Sequence, residues 1–209
     1  MREDLITGDD GRTRCRWGAE PDVYRSYHDE DWGRPLHGER ELYGLLTLET
    51  FQSGLSWLTI LRKRPAFQAA FDDFDPERVA RYGEEDVARL LGDAGIVRNR
   101  LKVAAAVTNA RATVALREQG GLDAFFWSFA DQAREERPAP DWRPATMADV
   151  PSSTPTSKAM AKAFRAAGFA FVGPTVAYAF MQSAGLVDDH LVGCVCATGC
   201  VAGSHADTG

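Results

Sequence analysis

The sequence predicts an all-α fold, a single helical domain, on three observations. Apolar residues recur at helical spacing through most of the chain. Asp, Pro and Gly stand where helix starts and stops need them. Period-two alternation, the mark of strands, is scarce. With 209 residues, a chain buries about 70% of its unfolded surface, enough for one substantial core. Hydrophobic residues make up 44% and charged residues 26%, an ordinary globular balance, and no apolar run approaches the roughly 20 residues that cross a membrane.

The elements follow in order. Residues 1–14, "MREDLITGDDGRTR", are polar and lack the apolar core of a secretory signal; they are expected to be a disordered leader. The folded domain is expected over 15–196 and a second disordered stretch over 197–209, "ATGCVAGSHADTG". Residues 39–71 carry apolar side chains at helix spacing; Gly54 divides them and Pro65 suits the start of a third segment. Asp75–Pro76 is a cap followed by a first-turn proline. "EEDVARLLGDAG" reads as an amphipathic helix closed by Gly95, and the alanine-rich 98–121 as a strong helix that "LDAFFWSF" continues. The proline-rich 131–156 reads as a loop, and helices ending at Gly168 and Gly185 close the domain. The total is nine or ten short helices, without repeats.

A net charge of −6 argues against coating nucleic acid by charge alone, but not against an enzyme with one local basic face. Basic residues do cluster, in "LRKR" at 61–64, in "RNRLK" at 98–102, and at Lys158, Lys162 and Arg165; taken singly these read as solvated helix faces. Four cysteines in a chain this long are not a disulfide scaffold, so a reducing, cytoplasmic setting is expected, where cysteine–histidine patterns point to metal.

Cys15, His28, His190 and Cys194 would make a Cys2His2 set suited to tetrahedral zinc. His190 and Cys194, four apart, face one way if their segment is helical. One ion bound to both pairs would join the two ends of the chain. Spacing alone fits a buried thiol beside a satisfied histidine better than a metal site, and Cys196 competes with Cys194. Four protein ligands leave no open position, so such a zinc would be structural.

Two further stretches stand out. "RAAGFAFVGPTVAYAF" (165–180) sets a short apolar turn between two helices, with Gly173–Pro174 opening the second. Backbone N–H groups there can hold a phosphate oxygen, or the turn is an ordinary connection. Trp17, Tyr24, Tyr27, Trp32, Tyr43, Phe51 and Trp57 crowd the first third of the chain around a lone acid, Glu49, in the apolar run "LLTLETF". A buried acid is costly unless paired or used. Rings plus one carboxylate suit a cationic or electron-poor base; otherwise the rings are core and Glu49 is surface.

Five segments together, "CRWG", "YRSYHDEDWGRP", "LLTLETFQSGLSWLTILRKR", "LLGDAGIVRNRLKV" and "FVGPTVAYAFMQSAGLVDDHLVGC", resemble the DNA-3-methyladenine glycosylase I family of the helix-hairpin-helix glycosylases. The resemblance runs in order from residue 15 to 194. It implies a helix-hairpin-helix glycosylase domain whose termini are joined by one structural Zn2+ on Cys15, His28, His190 and Cys194. It implies Glu49 as the base-recognising, catalytic carboxylate and Trp17, Tyr27, Trp32 and Trp57 as the aromatic pocket. The 169–175 hairpin, with Phe171, Gly173 and Thr175, is implied to grip the DNA backbone. Leu55, in the "SGLS" turn, is implied to fill the gap left by a flipped base. The implied activity is hydrolytic excision of alkylated purine, chiefly 3-methyladenine, from double-stranded DNA by a cytoplasmic monomer. It leaves an abasic site and, with no lysine in the hairpin, involves no lyase step. Arg16 and Gly18 around Trp17, and Phe51 and Ser53 around Gln52, depart from the family pattern. Asp188 falls where related hairpin glycosylases carry a catalytic aspartate that this family does without; it reads as an unused surface acid, a helper or a departure. The rival classes are a zinc-stapled DNA-binding module without catalysis and a zinc hydrolase, which would need an open coordination position.

Overall fold

The computed structural model describes residues 4–139 and 141–198. In chain order these form strands β1 (Leu5–Thr7) and β2 (Thr13–Cys15), then helix α1 (Asp22–Ser26), which runs into a π-helical turn, Tyr27–Asp31. Next come α2 (Glu39–Gln52), α3 (Trp57–Ala70), α4 (Pro76–Ala80), α5 (Glu84–Gly92) and α6 (Arg100–Leu116). The last four are α7 (Gly121–Trp127), α8 (Ala130–Glu135), α9 (Pro155–Ala166) and α10 (Pro174–Ser183). The chain is thus a mostly helical single domain, as the sequence predicts.

Helix α2 occupies the centre because it is apolar nearly all round: an unbroken run from Leu42 to Leu48 is buried apart from Leu45, and Glu49 and Phe51 follow it inside. It packs on α3, α6, α7 and α10, so polar residues it carries are drawn into the core with it. Side-chain caps set several helix starts. Asp75 accepts from the backbone N–H of Glu77 and Arg78, Asn99 from Leu101 and Lys102, and Thr154 from Ser157. Helices α9 and α10 pack on each other across the short turn 167–173.

The structure corrects five sequence expectations. The expected disordered leader is an antiparallel ribbon from Leu5 to Cys15, with Ile6 opposite Arg14; what holds it is a long-range partner, Asp29, bonded to Arg14. Helix α3 continues through Pro65 rather than restarting there. The expected loop at 131–156 contains most of α8, and α5 ends at Gly92 rather than Gly95. The tail begins as a 3-10 turn, Val195–Thr198; the rest of the expected tail, 199–209, lies outside the described residues.

Candidate functional site: an aromatic cleft beside a cysteine–histidine knot

Three of the four aromatic candidates pack as a group apart from the main core, and Trp57 joins them from the head of α3. Trp17 meets Trp32 edge-on at 4.9 Å between ring centroids, and Tyr27 meets Trp57 at 5.4 Å. The π-helical turn accounts for the placement of Tyr27. Its carbonyl accepts from Trp32 N–H at 2.9 Å, five residues on, and the widened turn buries Tyr27, His28 and Asp29 together. Tyr27, Trp57 and Ser183 line a cleft of about 520 Å³ whose rim carries Arg34, Arg40 and Arg64. Trp17 and Trp32 do not line this cleft; Trp32 backs onto His190 at 4.6 Å and Trp17 onto His28 at 5.2 Å. The aromatic group therefore forms a wall shared by the cleft and the histidines.

Glu49 is not a surface acid: it is 4% exposed in the buried helix α2. Its carboxylate accepts one bond, from Ser183 Oγ at 2.6 Å, and Ser183 in turn accepts from the Tyr27 hydroxyl at 3.0 Å. Burial pushes the Glu49 carboxyl up to about 7, against the pull of the Ser183 bond, so it exchanges its proton near neutrality. Burial first, and then the field of Glu49, hold the Tyr27 hydroxyl well above its ordinary range, so it stays a donor. The Trp57 indole N–H is buried with no partner among the described residues. Sequence reasoning missed Ser183. The only available signal was a lone serine, one helical turn from Tyr178–Ala179, on the otherwise apolar buried face of α10.

The two ends of the chain meet at a second cluster. His28, His190, Cys194 and Cys196 bring donor atoms within 4.8 Å of one another, a set that can hold a metal ion. Cys15 lies against Cys194, and its sulfur accepts from Leu191 N–H at 3.4 Å. Three of the four expected ligands thus fall in the closest set, and Cys196, which the sequence left only as a competitor, joins them. The route differs from expectation: His190 and Cys194 do not lie on a helix but on an irregular turn closed by Cys194 N–H to Leu191 O, 2.9 Å.

Both imidazoles are oriented by carboxylates. His28 Nδ1 pairs with Asp29 at 2.8 Å and His190 Nδ1 with Asp188 at 2.7 Å, which leaves Nε2 of each for the cluster. Asp29 is gripped in turn by Arg14 at 2.8–3.0 Å; burial would raise its carboxyl, but the bonds from Arg14 and His28 outweigh that and hold it low. Asp188 also accepts from the backbone of His190 and pairs with Arg143 at 2.9 Å, so its role here is orientation. Contacts from Cys15 and then Cys196, whose backbone N–H donates to the Cys194 sulfur at 3.4 Å, lower the Cys194 thiol from its ordinary range. Gly18 has a physical reason to depart from a larger residue: a Cβ there would stand 2.4 Å from the His28 ring. Phe51 is fully buried against Phe67 and Phe71, in the core rather than the cleft.

The remaining candidates sit on two exposed projections. Leu55 is 38% exposed in the turn between α2 and α3. Phe171 is 46% exposed at the tip of the α9–α10 turn, with φ +60, a conformation that costs a bulky residue about 1–2 kcal/mol. Gly173 caps α10 and Thr175 is exposed in its first turn, where backbone N–H groups lack intrahelical partners.

Comparison with known proteins gives a consistent result. A family model described as methyladenine glycosylase matches residues 17–197. DNA-3-methyladenine glycosylase 1 of Escherichia coli (strain K12) is 44% identical over 188 residues, covering 89% of this chain and 97% of that protein. A crystal structure of a 3-methyladenine DNA glycosylase I superposes with a TM-score of 0.80 at 45% identity, covering 88% of this chain and 98% of the other. A variant of such an enzyme, solved in complex with 3-methyladenine, superposes at 0.79 with 36% identity, over 87% and 96% of the two chains.

Proposed function

Because the chain belongs to the methyladenine glycosylase family, and is a DNA glycosylase, we propose that it excises 3-methyladenine from double-stranded DNA by hydrolysis, leaving an abasic site. The observation that carries this reading is Glu49, a buried carboxylate with a single hydrogen-bond partner among the described residues, behind an aromatic cleft. N3 methylation places positive charge on the purine, which makes the base a good leaving group before any proton is delivered. The protein's task is then to extrude the nucleotide, at a cost of a few kcal/mol, and to hold the base. Tyr27 and Trp57 supply ring faces, a stacked ring being worth about 1–3 kcal/mol, while Trp17 and Trp32 back them from outside the cleft. Glu49 recognises the purine by hydrogen bonding and charge, and an ionised Glu49 beside a cationic base is stabilised where an unpaired one is not. Leu55 fills the vacated stack, while Phe171, Gly173 and Thr175 hold the backbone in a helix-hairpin-helix grip. The N-glycosyl bond breaks with its electron pair passing to the purine, and water adds to the sugar carbon and releases a proton. No lysine lies in 166–180 to form a Schiff base, so the DNA strand stays intact.

The cysteine–histidine donors fit zinc, and we assign it to Cys15, His28, His190 and Cys194. Asp29 occupies His28 Nδ1, and Cys196 lies on that side of the ring, 3.9 Å from Nδ1. Cys194 faces Nε2 at 3.5 Å with Cys15 beside it. A bound zinc supplies a covalent staple between the chain's ends and no step of the reaction. Action as a cytoplasmic monomer completes the reading; no helix among the described residues is long and apolar enough to cross a membrane.

Chromatography of the bases released from methylated duplex DNA tests this reading, with Glu49→Gln alongside. Selective release of 3-methyladenine, reduced about a hundredfold in the variant, is the expected result. A folded, metal-loaded protein that binds abasic DNA yet releases no base would instead be a binding module.

A further inference from the structure

Helix α6 carries a buried ammonium that neither the cleft nor the cysteine–histidine knot uses. Lys102 is 7% exposed, and its Nζ donates to Phe51 O at 2.8 Å and Ser53 O at 2.5 Å. These are terminal carbonyls of α2, where a cation offsets the negative end of the helix. Burying an ammonium is costly, and an apolar side chain would fill the space more cheaply. The purchase it gains is on one specific turn: immediately after Ser53 come Gly54, at φ +81, and the exposed Leu55.

Seven residues along the same helix, Asn109 is fully buried and does the same for the other projection. Its Nδ2 donates to Ala170 O at 3.1 Å and its Oδ1 accepts from Ala170 N–H at 2.7 Å, so both backbone groups of Ala170 are held. The next residue is Phe171, exposed and left-handed. Seven residues are nearly two full turns, so both clamps leave one face of α6 about 10.5 Å apart along its axis. A single rigid helix thereby ties the Leu55 turn to the Phe171 hairpin.

We propose that α6 is a spacer that sets the separation of the two DNA-contacting projections, with Lys102 and Asn109 as positioning residues that govern duplex binding without touching DNA. This rests on the reading of the chain as a base-flipping glycosylase. The spacer acts on the duplex and not on the base, because neither clamp contacts a cleft residue. It also couples the two clamps: once either is released, the separation is already lost.

The test uses full-length, metal-loaded protein in four forms: wild type, Lys102→Met, Asn109→Ala and the double variant, with Lys102→Arg as the conservative control. Fluorescence anisotropy reads affinity for a duplex carrying a tetrahydrofuran abasic analogue. Tryptophan fluorescence reads binding of free 3-methyladenine. Each single variant is expected to weaken duplex binding about tenfold, the loss typical of a charged or bidentate hydrogen bond. The double variant is expected to be little worse than either single, although side chains this far apart with no shared partner ordinarily add. Lys102→Arg should recover most of the loss, and free-base affinity should stay within about twofold, because the substitutions leave the cleft-lining residues untouched. Unchanged duplex binding, additive losses, or parallel loss of free-base binding would each overturn the spacer. Should Lys102→Met not fold, Lys102→Gln and Asn109→Ser carry the same cycle. A wild type that releases 3-methyladenine while the variants bind duplex normally removes the spacer alone; a wild type that releases no base removes the glycosylase reading.

Discussion

The two buried sites of this protein share a wall of tryptophan and histidine rings but are built on opposite electrostatic plans. At the cysteine–histidine knot every acid is matched. Asp29 has Arg14, Arg12 and His28, and Asp188 has His190 and Arg143. Both carboxyls are held below their ordinary range: burial alone would raise them, and the bonds to these partners more than reverse it. At the cleft the reverse holds. Among the described residues Glu49 has only Ser183 and the buried Trp57 N–H has no partner, and burial raises the Glu49 carboxyl to about 7. A matched site gains little from a ligand beyond its metal, whereas an unmatched one gains most from a cation that also brings polar edges. The comparison thus separates structure from recognition on physical grounds: the knot is closed and the cleft is waiting for its partner.

The sharpest way to break this contrast is to strip the metal. Chelation should lower the melting temperature by more than about 10 °C, because structural zinc carries folding free energy outright. Calorimetry with metal analysis before and after tests it, and a chelated protein that melts unchanged would show that the knot is not a metal site. Asp29→Ala should come next, at about 3 kcal/mol, since it leaves the buried Arg14 guanidinium paired with the half-exposed Asp10 alone and takes the carboxylate from His28. Denaturant unfolding reads that value.

Glu49→Gln should act in the opposite sense on stability. A carboxyl raised from 4.5 to about 7 binds a proton in the native protein that the unfolded chain has already lost. Wild-type stability therefore falls as pH rises through that window, by at most about 3 kcal/mol, and is lowest above it. The glutamine variant lacks this slope, so it should be the more stable protein at pH 8 and the less active one. Urea midpoints at acidic and alkaline pH decide the matter, and parallel pH profiles for the two proteins would refute the unmatched cleft. The smallest effect is expected for Ser183→Ala. It removes the one bond that lowers the Glu49 carboxyl, so the pH profile of free-base binding should move to the alkaline side, for a loss of about 1 kcal/mol at neutral pH. A profile that stays in place would mean that Ser183 does not tune Glu49.

Much of the helical order was legible in the residues themselves. Asp75–Pro76 caps its helix where local chemistry says it should, and the apolar run of α2 announces a buried helix. The resemblance carried by the five motifs likewise points to the family and to His28, His190 and Cys194, which the fold brings together. The ribbon at 5–15 was not legible, because its stability depends on Asp29, reached only through the fold. Pro65 misled because its helix gains more from packing than one proline takes away.

What the sequence by itself determined is therefore what depends on near neighbours: helix spans, caps, the overall helical class and the donor types available for a metal. Tertiary structure alone decided which donors converge, that Cys196 stands beside Cys194, and that Ser183 of α10 reaches Glu49 of α2 across 134 residues of chain. It also decided that Glu49 is buried, and hence that its proton is poised near neutrality. The reason is physical. Propensity and capping act over one helical turn, whereas desolvation and long-range hydrogen bonds exist only after distant segments have excluded water between them.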